Sequence, residues 1–161
     1  MKPLLVTSFA LVVLCAAGSA SASHPHCRAI RGVINDVQVT DGCASPNGFC
    51  AAGTVDGNRN FRGTTYFVMD GAVRGPATAP GTLATSGLLT YAFDDGTLVV
   101  RESGLSGFVQ GDDRFFTAFQ QVESGTGRYA GATGHFYVLG QALPDRFEAE
   151  IDGELCVRRA Q

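Results

Sequence analysis

The chain has 161 residues, 45% of them hydrophobic, enough for one domain around a single core. Its formal charge of −3 comes from twelve lysines and arginines interspersed among fifteen acids. No basic stripe emerges from that mixture, which excludes a nucleic-acid-binding surface.

Met1-Lys2-Pro3 is a short basic start, Leu4–Ala17 an apolar run too short to span a bilayer, and Ala20-Ser21-Ala22 a cleavage signal of the A-x-A type. The pattern predicts a signal peptide over 1–22 and a soluble mature chain from Ser23, secreted or periplasmic, with no membrane partner after cleavage. Bulky Leu14 stands where a lipoprotein signal needs a small residue before Cys15. Lys2 is the only lysine, so the mature chain carries eleven arginines against the fifteen acids, a charge of −4. Once Cys15 is removed, Cys27, Cys43, Cys50 and Cys156 remain, and an even number in an exported chain predicts disulfides. Cys43 and Cys50 are too widely spaced for a zinc knuckle and have no histidine nearby. His24-Pro25-His26 has donors of the type that hold copper, but a leader ahead of the first strand accounts for it without a metal. No metal and no cofactor are expected.

From there the chain reads as strand after strand, with turn signals at short intervals and no amphipathic helix. Ala29–Val39 alternates, Asp41–Gly48 is a loop crowded with Gly, Pro and Asn, and Phe49–Val55 is a short strand closed by a turn at Asp56–Asn60. Phe61–Val73 is long and rich in Thr, Tyr, Phe and Val, and Gly75–Gly81 is a surface loop holding Pro76 and Pro80. Leu88–Phe93 and Leu98–Arg101 form a hairpin about Asp94-Asp95-Gly96-Thr97, with the glycine at the tip. Arg114–Val122, His135–Leu139 and Phe147–Val157 complete an all-β domain, 23–161, of about eight antiparallel strands. These strands carry few of the lysines and prolines that blunt exposed edges, which favours a closed barrel over a sandwich. Eight strands enclose a narrow interior, either filled by side chains or holding one small ligand.

The segment between Arg114–Val122 and His135–Leu139 is Gly125-Thr126-Gly127-Arg128-Tyr129-Ala130-Gly131-Ala132-Thr133-Gly134, with four glycines in ten residues. It reads as a structured corner. A phosphate-cradling loop would need a helix to follow, and no helix pattern does. Together with the hairpin Phe93-Asp-Asp-Gly-Thr-Leu98 and the ending Phe147-Glu-Ala-Glu-Ile-Asp-Gly153, this corner resembles the allene oxide cyclase and dirigent barrel superfamily, in its bacterial barrel-like branch. The match covers roughly the C-terminal two-thirds of the mature chain. The resemblance implies an eight-stranded, calycin-like barrel. In plant allene oxide cyclases a lumen carboxylate, an amide and a tyrosine guide ring closure of an epoxide, and Asp36, Asn35 and Tyr66 are similar in type. Plant dirigent proteins, which orient phenoxyl radicals, show Ala-Arg-Gly where this chain has Ala132-Thr133-Gly134, so the arginine is missing.

Polar residues set among apolar ones in the strands are candidates to line a lumen and orient a ligand: Asn35, Asp36, Tyr66, Asp70, Tyr91, Arg101, Glu102, Gln121 and Tyr137. A carboxylate held there has its charged form disfavoured and can act as acid or base. Asp36, Tyr66 and Arg101 are the expected catalytic set; Asn35, Tyr91, Gln121 and Tyr137 are the expected ligand contacts. Arg101 and Glu102 are strand neighbours, so at most one faces inward. An exterior hydrogen bond or ion pair is the competing explanation for each. Ser/His/Asp chemistry has only His135 to draw on and no nucleophile elbow.

The expectation is an exported barrel that binds a small hydrophobic molecule and isomerises or cyclises it. The alternative is a non-catalytic structural or interaction protein with a barrel filled by Phe and Leu. In Phe147–Leu155 the apolar residues alternate with Glu148, Glu150, Asp152 and Glu154, an acid row facing water. Elsewhere both faces are apolar, as in Tyr66-Phe67, Leu88-Leu89 and Phe115-Phe116, which predicts a homo-oligomer, dimer or trimer, through the outer wall.

Closure also predicts the cysteine pairing. The first and last strands of a barrel are antiparallel neighbours, which brings Cys27 to Cys156 within the ~4.4–6.8 Å Cα span of a disulfide. Cys43 and Cys50 flank the Gly/Pro loop closely enough for a local bridge, so Cys27–Cys156 and Cys43–Cys50 are the expected pairs.

Overall fold

Every strand pairs with its sequence neighbour, and the last returns to the first. The computed structural model describes the backbone of residues 26–110 and 113–158, and the side chains of all of these except 108–110 and 113. The signal peptide expected over 1–22, and His24, lie outside the described residues. The strands are β1 (His26–Val39), β2 (Cys50–Gly57), β3 (Arg62–Arg74), β4 (Thr82–Phe93), β5 (Gly96–Gln110), β6 (Asp113–Gly125), β7 (Thr133–Ala142) and β8 (Phe147–Val157). They close in the order β1-β2-β3-β4-β5-β6-β7-β8, antiparallel throughout, so the fold is a closed eight-stranded antiparallel barrel. No edge strand is left unpaired.

Two strands run further than their composition predicts. The small residues Ser86, Gly87, Ser103 and Gly104 read as strand breakers, yet β4 and β5 pair without interruption from Thr82↔Gly107 to Phe93↔Gly96. Pairing on both sides overrides weak local propensity there. The hairpin turn is Asp94-Asp95, and Gly96 is the first residue of β5 rather than the tip, at φ 151°. A Cβ at Gly96 would lie 2.2 Å from the Thr126 carbonyl oxygen, because the glycine corner folds down onto this hairpin. Thr126 N donates to Thr97 O and Arg128 N to Asp95 O, at 2.9 and 3.0 Å. The corner thus caps one end of the barrel through a single 3-10 turn, Gly127–Tyr129.

That end is filled. Phe61 packs against Tyr91, Phe93 and Phe136 with ring centroids 5.2, 4.9 and 5.5 Å away, and Phe93 lies 4.7 Å from Tyr129. Val55, Leu98, Ile151 and Leu155 are buried around these rings. The opposite end, where β1, β3, β5 and β7 finish and β2, β4, β6 and β8 begin, is the mouth.

Both expected disulfides are formed. Cys27 and Cys156 face each other directly in the β1–β8 register, Cα atoms 3.8 Å apart, closer than the usual span. Cys43–Cys50, with Cα atoms 5.6 Å apart, pins the mouth loop over the outside of β2 and buries Cys50. The same loop is held by Ser45 Oγ donating to Met69 O (2.5 Å) and the Tyr66 hydroxyl donating to Gly42 O (3.2 Å).

Candidate ligand site in the barrel lumen

Between the aromatic plug and the mouth, the lumen holds a cavity of about 230 Å³. Its wall is mainly apolar: Phe49, Phe67, Met69, Leu89, Phe116 and Phe147 face into it. Phe49 packs edge-on against Phe67 and Phe147, with ring centroids 6.4 and 5.7 Å away, and all three rings line the cavity. Asp36, Glu102 and Gln120 reach this apolar space from deeper in the barrel, and Thr85, Ser106 and Arg114 complete its polar lining.

The inward face of β1 is fixed by register against β8: Ile30, Gly32, Ile34 and Asp36 oppose Gly153, Ile151, Ala149 and Phe147. Asp36, Gly53 and Thr65 then stand side by side across β1, β2 and β3. The Thr65 hydroxyl donates to Asp36 Oδ1 at 2.5 Å, directly over Gly53. A Cβ at Gly53 would lie 2.5 Å from that same oxygen, so only glycine leaves the carboxylate room to reach its donor. Burial raises the Asp36 pKa, and the Thr65 hydrogen bond opposes the rise.

A second polar group comes from the opposite wall. Glu102 and Gln120 are register partners on β5 and β6. Gln120 Nε2 donates to Glu102 Oε2 at 2.6 Å, and its Oε1 accepts from the Tyr91 hydroxyl at 2.7 Å. Tyr91 and Gln120 are fully buried, so the chain Tyr91–Gln120–Glu102 is rigid and ends at the cavity. Burial pushes the Glu102 carboxyl up to about 6, the Gln120 hydrogen bond holds it back, and the charge of Asp36 adds to the rise. Burial also drives the Tyr91 phenol well above its ordinary range. Two carboxyls with separate hydrogen-bond supports thus share one mainly apolar cavity, and the charge of Asp36 is felt at Glu102. Such a pair can take a proton from one atom of a bound molecule and return it to another.

No protein-family model matches the chain, and no curated protein matches it. Among solved structures, the pterocarpan synthase dirigent protein GePTS1 is similar to this chain at 12% identity, over 92% of this chain and 100% of that one, with a TM-score of 0.37. At that distance the likeness assigns neither a family nor a reaction.

Of the candidates for the lumen, Asp36, Tyr91 and Glu102 are inside. The others project outward, which corrects the expected site. Asn35, next to Asp36, points to solvent. Tyr66 faces the loop over the outer wall. Arg101 pairs on the outside with Asp70 and with Glu123, the latter at 3.3 Å. Gln121 donates to Gly134 O at 2.8 Å from the outer face. Tyr137 is 60% exposed. His135 stacks outside against Phe119 at 5.9 Å, away from any lumen carboxyl. In each outward case the alternation of a strand places the side chain opposite to an inward neighbour: Asp36, Thr65, Glu102, Gln120 or Phe136. Of the neighbours Arg101 and Glu102 it is Glu102 that faces inward, and of Gln120 and Gln121 it is Gln120, a residue that strand alternation alone does not distinguish. The register carries the missing signal. Glu154 of the acid row opposes His135, which opposes Gln121, which opposes Arg101. All four therefore share the outer face, and their neighbours Gln120 and Glu102 must face in.

Proposed function

We propose that the protein is an exported binding barrel that takes one small hydrophobic molecule into its lumen and isomerises or cyclises it by proton transfer between Asp36 and Glu102. The apolar cavity of about 230 Å³ with two carboxyls at its floor carries this reading. Two disulfides fit an oxidising compartment. In this mechanism Glu102, poised near neutral pH, is the group that changes protonation. Gln120 and Tyr91 fix its orientation, and Asp36 is the second acid or base. The aromatic plug keeps water from entering behind the ligand.

The test has two parts. A neutral dye, N-phenyl-1-naphthylamine, is expected to bind saturably to the wild type and not to Thr85→Phe, whose ring fills the cavity. A small β,γ-unsaturated ketone is expected to be converted to its conjugated isomer, followed by ultraviolet absorbance. Glu102→Gln should keep dye binding and lose conversion by roughly 10²–10⁴-fold, the usual contribution of a positioned acid or base. Dye binding without conversion by the wild type would leave a binding protein and remove the enzyme. Absence of dye binding would remove both.

We also propose that two or three copies associate through the outer wall of β5–β7, where Leu105, Phe119, Tyr137 and Leu139 are exposed, Leu139 at 65%. Sedimentation at tens of micromolar is expected to show a dimer or trimer, and Leu139→Asp a monomer. A monomeric wild type would overturn this.

A further inference from the structure

The filled end of the barrel carries a cluster of charge that the lumen site does not use. Arg28 opposes the fully buried Leu155 in the β1–β8 register, so it opens the inward face of β1 below Ile30. An arginine is an unusual choice for the floor of an aromatic plug. Its Nε is buried and has no hydrogen-bond partner. Beside it, Tyr129 is only 1% exposed, and its hydroxyl is also buried without a partner. Unpaired buried donors each carry a cost that a matching acceptor would remove.

Two more cations converge on this pair. The Arg128 guanidinium lies 5.1 Å over the Tyr129 ring and is tied to Asp95 at 2.8 Å. The turn bearing Arg59 is held against the start of β1 by Asn58, whose side chain accepts from Arg31 N at 3.1 Å and donates to Ala29 O at 3.4 Å. Burial lowers the Arg28 pKa, and the nearby positive charges of Arg128 and Arg59 lower it further, with only Asp95 and Tyr129 acting the other way. Asp95 is already engaged by Arg128. Three arginines therefore meet with one carboxylate among them, and the innermost is left with an unmet donor.

We infer that the closed end of the barrel is an oxyanion-binding site, in which Arg28 Nε and the Tyr129 hydroxyl donate to a phosphate or sulfate group and Arg59 and Arg128 supply the remaining charge. The glycine corner has a role here through its side chains: it delivers Arg128 and Tyr129 to the site. Arg128 lies over the Tyr129 ring and is anchored by one partly exposed ion pair, the kind that contributes little and exchanges readily. Entry of the anion follows from Arg128 turning from Asp95 to the ligand. The site lies at the opposite end of the barrel from the lumen cavity and does not depend on what that cavity binds.

Calorimetric titration with inorganic phosphate and with sulfate, against chloride at equal ionic strength, tests it. Saturable binding of phosphate or sulfate, with no matching response to chloride, is the expected result. Tyr129→Phe removes a single hydroxyl that has no protein partner, so the variant should fold as well as the wild type while binding phosphate roughly tenfold more weakly, the loss of one charge-assisted hydrogen bond. Arg28→Gln should abolish binding. Asp95→Asn should tighten it several-fold, because a competing carboxylate is removed and Arg128 is released. Arg146→Gln, at a distant exposed ion pair with Asp145 and Glu148, should change nothing. Glycerol 3-phosphate distinguishes the source of the group. Affinity equal to that of phosphate assigns the site to a phosphoryl ester with one open face, and much weaker binding assigns it to the enclosed free ion. No saturable binding, or binding unchanged in both Tyr129→Phe and Arg28→Gln, overturns the inference.

Discussion

Replacing Cys27 and Cys156 together by alanine is expected to lower stability by about 5 kcal/mol, a fall in Tm of roughly 10–20 °C. The bridge joins residues 129 apart in sequence, so opening it frees nearly the whole domain in the unfolded state. Chain entropy makes the cost grow with the logarithm of the loop closed. The Cys43–Cys50 bridge spans only 7 residues, and the same relation gives about 2.5 kcal/mol for its removal. The barrel itself should survive the loss of Cys27–Cys156, because β1 and β8 remain joined by eleven register pairs. Urea unfolding of the two double variants, followed by far-ultraviolet circular dichroism, separates these effects. Equal losses from both bridges would refute the loop-length account. A native spectrum lost from the first variant in the absence of denaturant would show that the covalent link, and not the ladder, closes the barrel.

Glu102→Gln is expected to remove a pH dependence from stability as well as the proposed proton transfer. A folded pKa of about 6 against an ordinary 4.5 means that the folded chain binds the proton more tightly than the unfolded one. Wherever that holds, stability falls as pH rises. The Glu102 contribution is therefore fully present below about pH 4.5 and lost by about pH 6 and above, with a total near 2 kcal/mol. The variant cannot ionise at this position, and its amide can still meet Gln120. Its stability should match the wild type near pH 4 and exceed it by up to about 2 kcal/mol at pH 7–8. Asp70 behaves oppositely: held low by hydrogen bonds from Ser86 and Arg101, it favours the fold as pH rises, whereas Asp36, raised by burial, runs with Glu102. The difference between wild type and variant isolates Glu102 from that background. Asp36→Asn should shift the wild-type transition to lower pH, because the charge of Asp36 contributes to raising the Glu102 pKa. Parallel stability curves for wild type and Glu102→Gln across pH 4–8 would show that Glu102 is not held in an apolar site, and the catalytic proposal would go with it. The gain in stability on losing the carboxyl is what a group kept for chemistry, at a cost to the fold, should display.

Sequence alone was enough for the all-β class, the closure of the sheet, the two disulfides and the acid row of β8. Each follows from a short-range pattern or from topology alone. Strand alternation is local, a barrel needs its first and last strands to meet, and that meeting pairs Cys27 with Cys156. It did not determine the length of β4 and β5, where Ser86-Gly87 and Ser103-Gly104 extend only because partners on both sides hold them. Nor did it determine which polar residues see the lumen. In β3, β5 and β6 both faces carry apolar side chains, so period-two alternation yields two equivalent assignments for Tyr66 or Phe67, Arg101 or Glu102, and Gln120 or Gln121. Only the hydrogen-bonded register breaks that tie, carrying the outward face of Glu154 through His135 and Gln121 to Arg101. A one-residue slip at any of those ladders would turn Glu102 out and Arg101 in. The convergence of Arg28 with Tyr129 has the same origin. They are 101 positions apart, and nothing in either local stretch refers to the other until the barrel closes and the glycine corner folds over its end.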